Sequence, residues 1–410
     1  MLFQKLLQAV VKTGNLRLID AAGRTYEYGD GTGPRSTMRL HSRRLEYTLA
    51  FNPPLYLGEA YMDGSLTIEE GNLRHFVETM ARTYHRIEDN WLVTLGFALG
   101  RNTRRLKQYN PIGKAQRNVA HHYDLSGRLY DFFLDADRQY SCAYFRTGRE
   151  SLEQAQADKK LHLAAKLYLN RPGLKVLDIG SGWGGLGLYL ARTGDCEVTG
   201  VTLSTEQHKV SRERARKAGL ADHVGFHLRD YREDEQRYDR IVSVGMFEHV
   251  GKKNYREFFQ KVSELLDEDG VFVLHSVGRV NERGPVNPFI RKYIFPGTDV
   301  PALSEVLPVI EDCKLVVNDV EVLRLHYAET LKNWAQRFQA NREKVRKLYD
   351  ERFCRMWEAY LLGCEMGFRY QGLMVFQIQI TKTITALPQT RDYIYEWEHK
   401  RGRETSQAAE

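Results

Sequence analysis

The residues with the clearest chemical content are glycines. The stretch VLDIGSGWGG, residues 176–185, ends an apolar run and sets Asp178, Gly180, Gly182 and Gly184 in the spacing D-x-G-x-G-x-G, with Trp183 between the last two glycines. Glycines where a strand turns into a helix permit a tight bend and close approach of a ligand to the main chain. A plain strand-to-helix turn would read the same way, and Gly180, Gly182 and Gly185 also fit the G-x-G-x-x-G of a dinucleotide loop. Asp178 separates the readings: a carboxylate in the loop repels a pyrophosphate and welcomes a cationic, amino-acid-bearing ligand. Two further groups, Glu248 and His275, each follow a predicted strand, at the carboxyl edge where α/β proteins bind ligands. Both have structural readings as well. Glu248–His249 suits a helix start, where an acid meets the positive end of the helix dipole, and His275 suits a hydrogen-bonded core position.

Positioning these groups falls to an alternation of strands and helices. Strand patterns lie at 174–179, 197–203, 224–229, 239–245, 271–277, 315–325 and 373–381, with helical patterns near 152–169, 205–218, 252–266 and 328–362. Such alternation predicts a doubly wound, mostly parallel α/β sheet of seven strands, the last running antiparallel. Residues 1–100 predict a smaller α+β domain. There MLFQKLLQAVVKTG reads as an amphipathic helix rather than a signal peptide, LRLIDAAGRTYEYGD as a hairpin turning at Gly23, and TIEEGNLRHFVETMARTY as a helix. The expected division is 1–100, a linker at 101–117, a catalytic domain at 118–400 and a tail at 401–410.

Composition excludes several classes. The chain has 410 residues, 42% hydrophobic and 28% charged, with a net charge of +7. No uncharged run is long enough for a membrane span. The five cysteines show no metal spacing, and their odd number argues against a disulfide framework, so a reducing cytosol and no metal are expected. The linker gathers Arg101, Arg104, Arg105, Lys107, Lys114 and Arg117 without an acid. It reads as a solvated connector or as a patch for anionic lipid, at about 1 kcal/mol per basic residue near the surface. No nucleic-acid module accompanies it.

The motifs HHYDLS, QYSCAYF, VLDIGSGWGG, GVTLSTEQ, DYR, DRIVSVGMFEHVG, HSVG and HYAETL, spread over 118–400, together resemble the cyclopropane fatty acid synthase family of S-adenosylmethionine-dependent enzymes. The first hundred residues resemble, more weakly, the lipid-associated domain of its longer members. The resemblance implies a class I methyltransferase fold. It further implies that Gly180, Gly182 and Gly184, with Asp178 and Trp183, face the methionine part of the cofactor. Tyr140 and Ser141 would close over it, Thr202 and Gln207 would take the ribose side, and Asp230 and Tyr231 would bracket adenine. Tyr231 also reads as a core aromatic. Ala136 and Arg138 depart from the proline-containing turns of close relatives.

Methylating an alkene leaves a carbocation, so such a site must exclude water, stabilise the cation and remove one proton for a ring to close. Aromatic faces contribute to the second task at about 0.5 to 2 kcal/mol each; Tyr123, Tyr140, Tyr144, Phe145 and Phe247 are the candidates. The resemblance implies bicarbonate as the base, held by Cys142 (backbone), Glu248, His275, Val277 (backbone) and Tyr327. Cys364 lies where the family carries a cysteine proposed as catalytic, but its apolar helical surroundings read as those of a buried, inert thiol. The implied reaction is methylene transfer from S-adenosylmethionine to a cis double bond of a phospholipid acyl chain. The implied setting is the cytoplasmic side of an anionic membrane surface, with no nucleic acid and with a homodimer left open. The alternatives are a methyl- or methylene-branched acyl product, a small-amine methyltransferase, or a non-enzymatic lipid or cofactor binder.

Overall fold

A computed structural model describes residues 2–83, 126–280 and 286–407. The chain forms two compact units, one of Met1–Lys107, Arg283–Pro296 and Leu331–Leu373, the other of Gln108–Glu282, Gly297–Thr330 and Met374–Glu410.

The first unit is larger than the expected 1–100 because two later segments join it. The helix Glu351–Tyr370 buries Trp357, Tyr360, Leu361 and Phe368 and packs on the helices Pro53–Met62 and Leu73–Arg82. Its buried Glu365 accepts from Arg74 at 2.9 and 2.6 Å and from Arg369 at 3.0 Å. A buried carboxylate is tolerated when paired this fully, and that pairing fixes a segment remote in sequence. The small sheet has the order β2-β1-β3-β4, from β1 (Leu16–Ile19), β2 (Thr25–Tyr28), β3 (Ser36–Leu40) and β4 (Leu66–Glu70). The β1–β2 hairpin turns where expected, with Gly23 at φ +83. The helix Leu2–Val10 buries Phe3, Leu7 and Val10, as its amphipathic pattern predicts. The stretch expected as one helix from Thr67 is divided. Its first residues pair with β3 as β4, and the helix starts at Leu73, capped by Asn72.

The second unit holds all seven predicted strands: β5 (Lys175–Ile179), β6 (Glu197–Thr202), β7 (Val224–Leu228), β8 (Tyr238–Val244), β9 (Leu266–Arg279), β10 (Val316–Val322) and β11 (Leu373–Thr381). Their order is β10-β11-β9-β8-β5-β6-β7. β5 pairs parallel with β6 and β8, β6 with β7 and β8 with β9, while β11 runs antiparallel to β10. This is the class I methyltransferase fold. The central strands are buried on both faces, hence their unbroken apolar runs. The helical pattern near 328–362 resolves into His326–Ala340, Arg342–Leu348 and Glu351–Tyr370, the last restarted by Asp350, whose Oδ1 accepts the Phe353 N–H at 2.6 Å. The expected tail begins inside a helix, Asp392–Gln407.

Candidate active site

Parallel pairing sets the site at the carboxyl ends of β5, β6, β8 and β9, all in the second unit. β5 ends at Ile179, and the glycine loop turns from it into the helix Gly185–Gly194. Gly184 has φ +81, and a Cβ there would meet Phe226 Cζ at 2.6 Å and Ser211 Cβ at 2.9 Å, so backbone conformation and packing both demand glycine. Gly182 differs. At φ +54 nothing lies within 4 Å of its Cβ position, so the loop is open on that side. Asp178 is the penultimate residue of β5, buried, with Oδ2 lacking a partner among the described residues. Burial raises its carboxyl to about 7, opposed by the charge of Lys159. Trp183 is buried, with Nε1 unpartnered among the described residues, and meets Tyr130 edge-on, and Tyr130 in turn meets Tyr140 at 5.4 Å.

Thr202 is the last residue of β6. Its Oγ1 donates to Gln207 Oε1 at 3.1 Å and accepts the Ser204 N–H at 3.2 Å, joining the two residues expected on the ribose side. Asp230 follows β7 with both oxygens already accepting from the Arg232 guanidinium, at 2.9 and 2.8 Å. Tyr231 stands edge-on to Phe258 at 5.5 Å and packs against the main core, so its ring serves packing as well.

The segment 139–145 crosses the site as an irregular strap. Main-chain N–H groups pin it: Ala143 donates to Thr330 Oγ1 at 3.0 Å, Tyr144 to Ala155 O at 3.0 Å and Phe145 to His326 Nδ1 at 2.9 Å. Two of these bonds tie the strap to the first two turns of the helix His326–Ala340, which carries Tyr327. Cys142 is buried, its thiol pushed well above the ordinary range by burial, so only its backbone suits a reacting centre.

Glu248 sits in the turn Phe247–His249 after β8. Its Oε1 accepts the Val277 N–H at 2.5 Å, while Oε2 is buried without an ordinary hydrogen-bond partner among the described residues. Burial raises the group to about 7, against the backbone bond from Val277 and a weaker lowering by the nearby Ser276 hydroxyl. His275 lies in β9 beside Val244 of β8. Burial lowers it to about 3, so the ring is neutral. Gln377 of β11 donates from Nε2 to His275 Nδ1 at 3.2 Å, which leaves the ring proton on Nε2. The β8–β9 pairing thus brings a carboxyl poised near neutrality onto the end of the strand that carries a neutral imidazole, at Val277, two residues beyond His275.

Several expected roles change. The Val277 N–H is spent on Glu248. Phe247 is fully buried, stacked on Tyr255 at 4.5 Å and packed on Phe258 and Phe259, so it is core and offers no face to a cation. Tyr144 stacks on His162 at 4.3 Å and on His326 at 4.8 Å; two stacked rings cover both faces, which removes it too as a cation-stabilising surface. Phe145 is buried against His326. Cys364 belongs to the first unit, and burial raises its thiol to about 12, as for an inert thiol. Tyr123 and the basic linker lie outside the described residues.

Sequence reading missed Gln156 and Lys159, which reach the strap from the helix Leu152–Lys166. The signal was present: they share the stripe of Leu152, Ala155 and Leu163 at helical spacing, polar residues on an apolar face. Gln139, Asp137 and Arg214, which link the strap to the glycine loop, and Gln377 carry no local signal.

The chain matches the family model for mycolic acid cyclopropane synthetase over residues 112–378 and a domain of unknown function over residues 2–90. It is 38% identical over 332 residues to the cyclopropane-fatty-acyl-phospholipid synthase of Escherichia coli (strain K12), covering 80% of this chain and 84% of that protein. It is 42% identical over 289 residues to a probable fatty acid methyltransferase of Pseudomonas putida, covering 68% of this chain and 73% of that one. Among solved structures, a mycolic acid cyclopropane synthase complexed with SAH and CTAB is 34% identical with a TM-score of 0.61, over 65% of this chain and 97% of that one. Coclaurine N-methyltransferase, at 21% identity and a TM-score of 0.64, shares the fold. With the glycine loop and the Glu248–His275 pair set on this sheet, the chain belongs to the mycolic acid cyclopropane synthetase family and is an S-adenosylmethionine-dependent methyltransferase of the cyclopropane-fatty-acyl-phospholipid synthase type.

Proposed function

We propose that the chain transfers a methylene group from S-adenosylmethionine to the cis double bond of an unsaturated phospholipid acyl chain and closes a cyclopropane ring, with bicarbonate as the base. The observation that carries this reading is Glu248, a buried carboxyl with Oε2 unpartnered among the described residues, fastened to β9 at Val277, two residues beyond a neutral His275. A protein that only binds a lipid or a cofactor gains nothing from burying such a pair.

The residues fit the cofactor. Asp178 holds an orphaned carboxylate oxygen for a cationic amino group, and the open side of Gly182 lets a ligand approach the main chain. Tyr140 and Ser141 flank it from the strap, and Thr202 and Gln207 offer a hydroxyl and an amide to ribose hydroxyls. When bound, the cofactor supplies an electrophilic methyl group on a cationic sulfur.

Attack by the double bond leaves a carbocation on the acyl chain, and the ring closes when the added methyl loses a proton. Bicarbonate held between Glu248 and His275 would supply the base. Glu248 as carboxylate accepts the ion's own proton at Oε2, which removes the repulsion between two anions. His275 donates from Nε2, and the Cys142 backbone and Tyr327 complete the set. Val277 contributes by holding Oε1 and so aiming Oε2.

The acyl chain comes from a bilayer. No helix among the described residues is long and apolar enough to cross one. On the helix Arg43–Phe51 of the first unit, Arg43, Tyr47 and Phe51 fall on one face; Tyr47 is 60% and Phe51 79% exposed, and Arg43 and Arg44 are exposed beside them. Exposed aromatics with arginines suit an anionic membrane interface, and the basic linker adds to that attraction. This supports peripheral attachment at the cytoplasmic face.

Mass spectrometry of lipids from a host that lacks such an enzyme and expresses this chain tests the reading. Unsaturated acyl chains heavier by one methylene and without residual unsaturation are expected. Unmodified lipids would overturn it. The same added mass with a double bond retained, as a methyl-branched alkene or a methylene branch, would favour the second reading, which the identity to a probable fatty acid methyltransferase supports.

A further inference from the structure

Lys159 is the least expected group in the second unit. It is 0% exposed, yet no ion pair of its ammonium with a carboxylate is found among the described residues. Nζ instead donates to two neutral acceptors, Gln139 Oε1 at 2.6 Å and Ser141 Oγ at 2.8 Å. One helical turn earlier, Gln156 Nε2 donates to the carbonyls of the same two residues, at 3.2 and 3.0 Å. One helix face therefore grips both ends of the Gln139–Ser141 segment, by side chain and by main chain. A buried ammonium whose hydrogen-bond acceptors are neutral is costly, and packing does not require it.

The grip extends to the glycine loop. Gln139 Nε2 donates to Asp137 Oδ2 at 2.9 Å. Asp137 pairs with Lys160 and with Arg214, and Arg214 Nη1 donates to the Trp183 carbonyl at 2.8 Å. A continuous polar path thus runs from Lys159 through the strap to the loop.

We propose that Lys159 is a positioning residue: its ammonium clamps the strap at Gln139 and Ser141 against the glycine loop, so that affinity for the cofactor depends on that charge. The inference rests on the reading of the strap as the segment that closes over S-adenosylmethionine, and not on the acceptor or the base.

The charged and titratable groups facing Lys159 are Asp135 and Asp137 before the strap, Cys142 within it, Lys160 on its own helix, Asp178 of β5 and His275 of β9. Burial dominates among them and lowers Lys159 to about 8. The cation is present below that value and lost as pH rises through it, so the clamp should slacken in mildly alkaline solution.

Titration calorimetry with S-adenosylhomocysteine, from about pH 6.5 to about pH 9.5, tests this without any acceptor. Native protein should bind more weakly as pH rises through about 8. Lys159→Met, folded by circular dichroism, should bind about ten- to a hundredfold more weakly at neutral pH and lose that pH dependence. Lys159→Arg should restore neutral-pH binding and move the alkaline loss upward by more than about one pH unit, because guanidinium keeps its charge. Ser141→Ala, which removes one acceptor, should move the loss to lower pH and serves if Lys159→Met does not fold. Native-like binding by Lys159→Met, or an alkaline loss unmoved in both Lys159→Arg and Ser141→Ala, would overturn the proposal. Failure to modify lipids with these binding results intact would instead count against the acyl-chain reading.

Discussion

Replacing Glu248 with glutamine removes a charge and nearly preserves shape. In the native chain one oxygen accepts the Val277 N–H at 2.5 Å, the other has no ordinary partner among the described residues, and burial raises the group from 4.5 to about 7. Unfolded, the same carboxyl titrates near about 4.3. The folded value is the higher one, so ionisation opposes folding. The cost is absent below about pH 4, grows through the window between the two values and is complete above about pH 7. At 1.36 kcal/mol per unit, that shift corresponds to about 3–4 kcal/mol. Glutamine has no such ionisation, although its buried amide N–H groups lack partners at a cost of about 1–3 kcal/mol at every pH. The stability of the variant relative to native should therefore climb by about 3–4 kcal/mol between about pH 4 and about pH 8, measured by urea unfolding. Activity should move the other way: turnover falls about a hundredfold or more, and the acid limb of native turnover, set by Glu248 near pH 7, disappears. A relative stability independent of pH, with turnover close to native, would refute the placing of an ionisable Glu248 at the reacting centre.

The two glycines of the loop should fail differently. Gly184→Ala drives a Cβ into Phe226 and Ser211 and should lower the melting temperature, whereas Gly182→Ala meets no protein atom and should cost about 1 kcal/mol of backbone strain while weakening S-adenosylhomocysteine binding in calorimetry. Burial would raise Glu398, but hydrogen bonds from His162 and Arg146 hold it below the usual carboxylate range. Its stabilisation is present above the unfolded value and lost as pH falls through the folded one, so Glu398→Gln should destabilise by about 1–3 kcal/mol at neutral pH and progressively less in acid, by urea unfolding. Cys364→Ala should keep native turnover within about twofold, because a thiol raised to about 12 is not a nucleophile near neutrality.

The sheet was legible because its central strands are buried on both faces, which writes β5, β8 and β9 into the sequence as apolar runs. The glycine loop and Glu248 were legible because a strand end followed by glycine or acid marks the carboxyl edge of such a sheet, whereas His275, expected after its strand, lies inside β9, which runs on to Arg279. What stayed hidden depends on distant partners. Glu365 in its apolar helix gives no hint of Arg74, so the third segment of the first unit, Leu331–Leu373, could not be placed there. Tyr144 and Phe247 looked alike as aromatics beside motifs; only packing shows one sandwiched by two imidazoles and the other in the core. Lys159 was hidden for another reason: its periodicity marked the helix, and an internal lysine on that face was not weighed as chemistry.

The fate of the transferred methyl group tests the central claim most directly. Purified protein is incubated with vesicles of unsaturated phospholipid and S-adenosylmethionine bearing a fully deuterated methyl group, and the acyl product is read by mass spectrometry. Loss of one deuteron from the transferred carbon, in a product without residual unsaturation, is expected, because ring closure requires a base to take one proton from that carbon. A product that retains all three deuterons would contradict methylene transfer and the role given to Glu248 and His275.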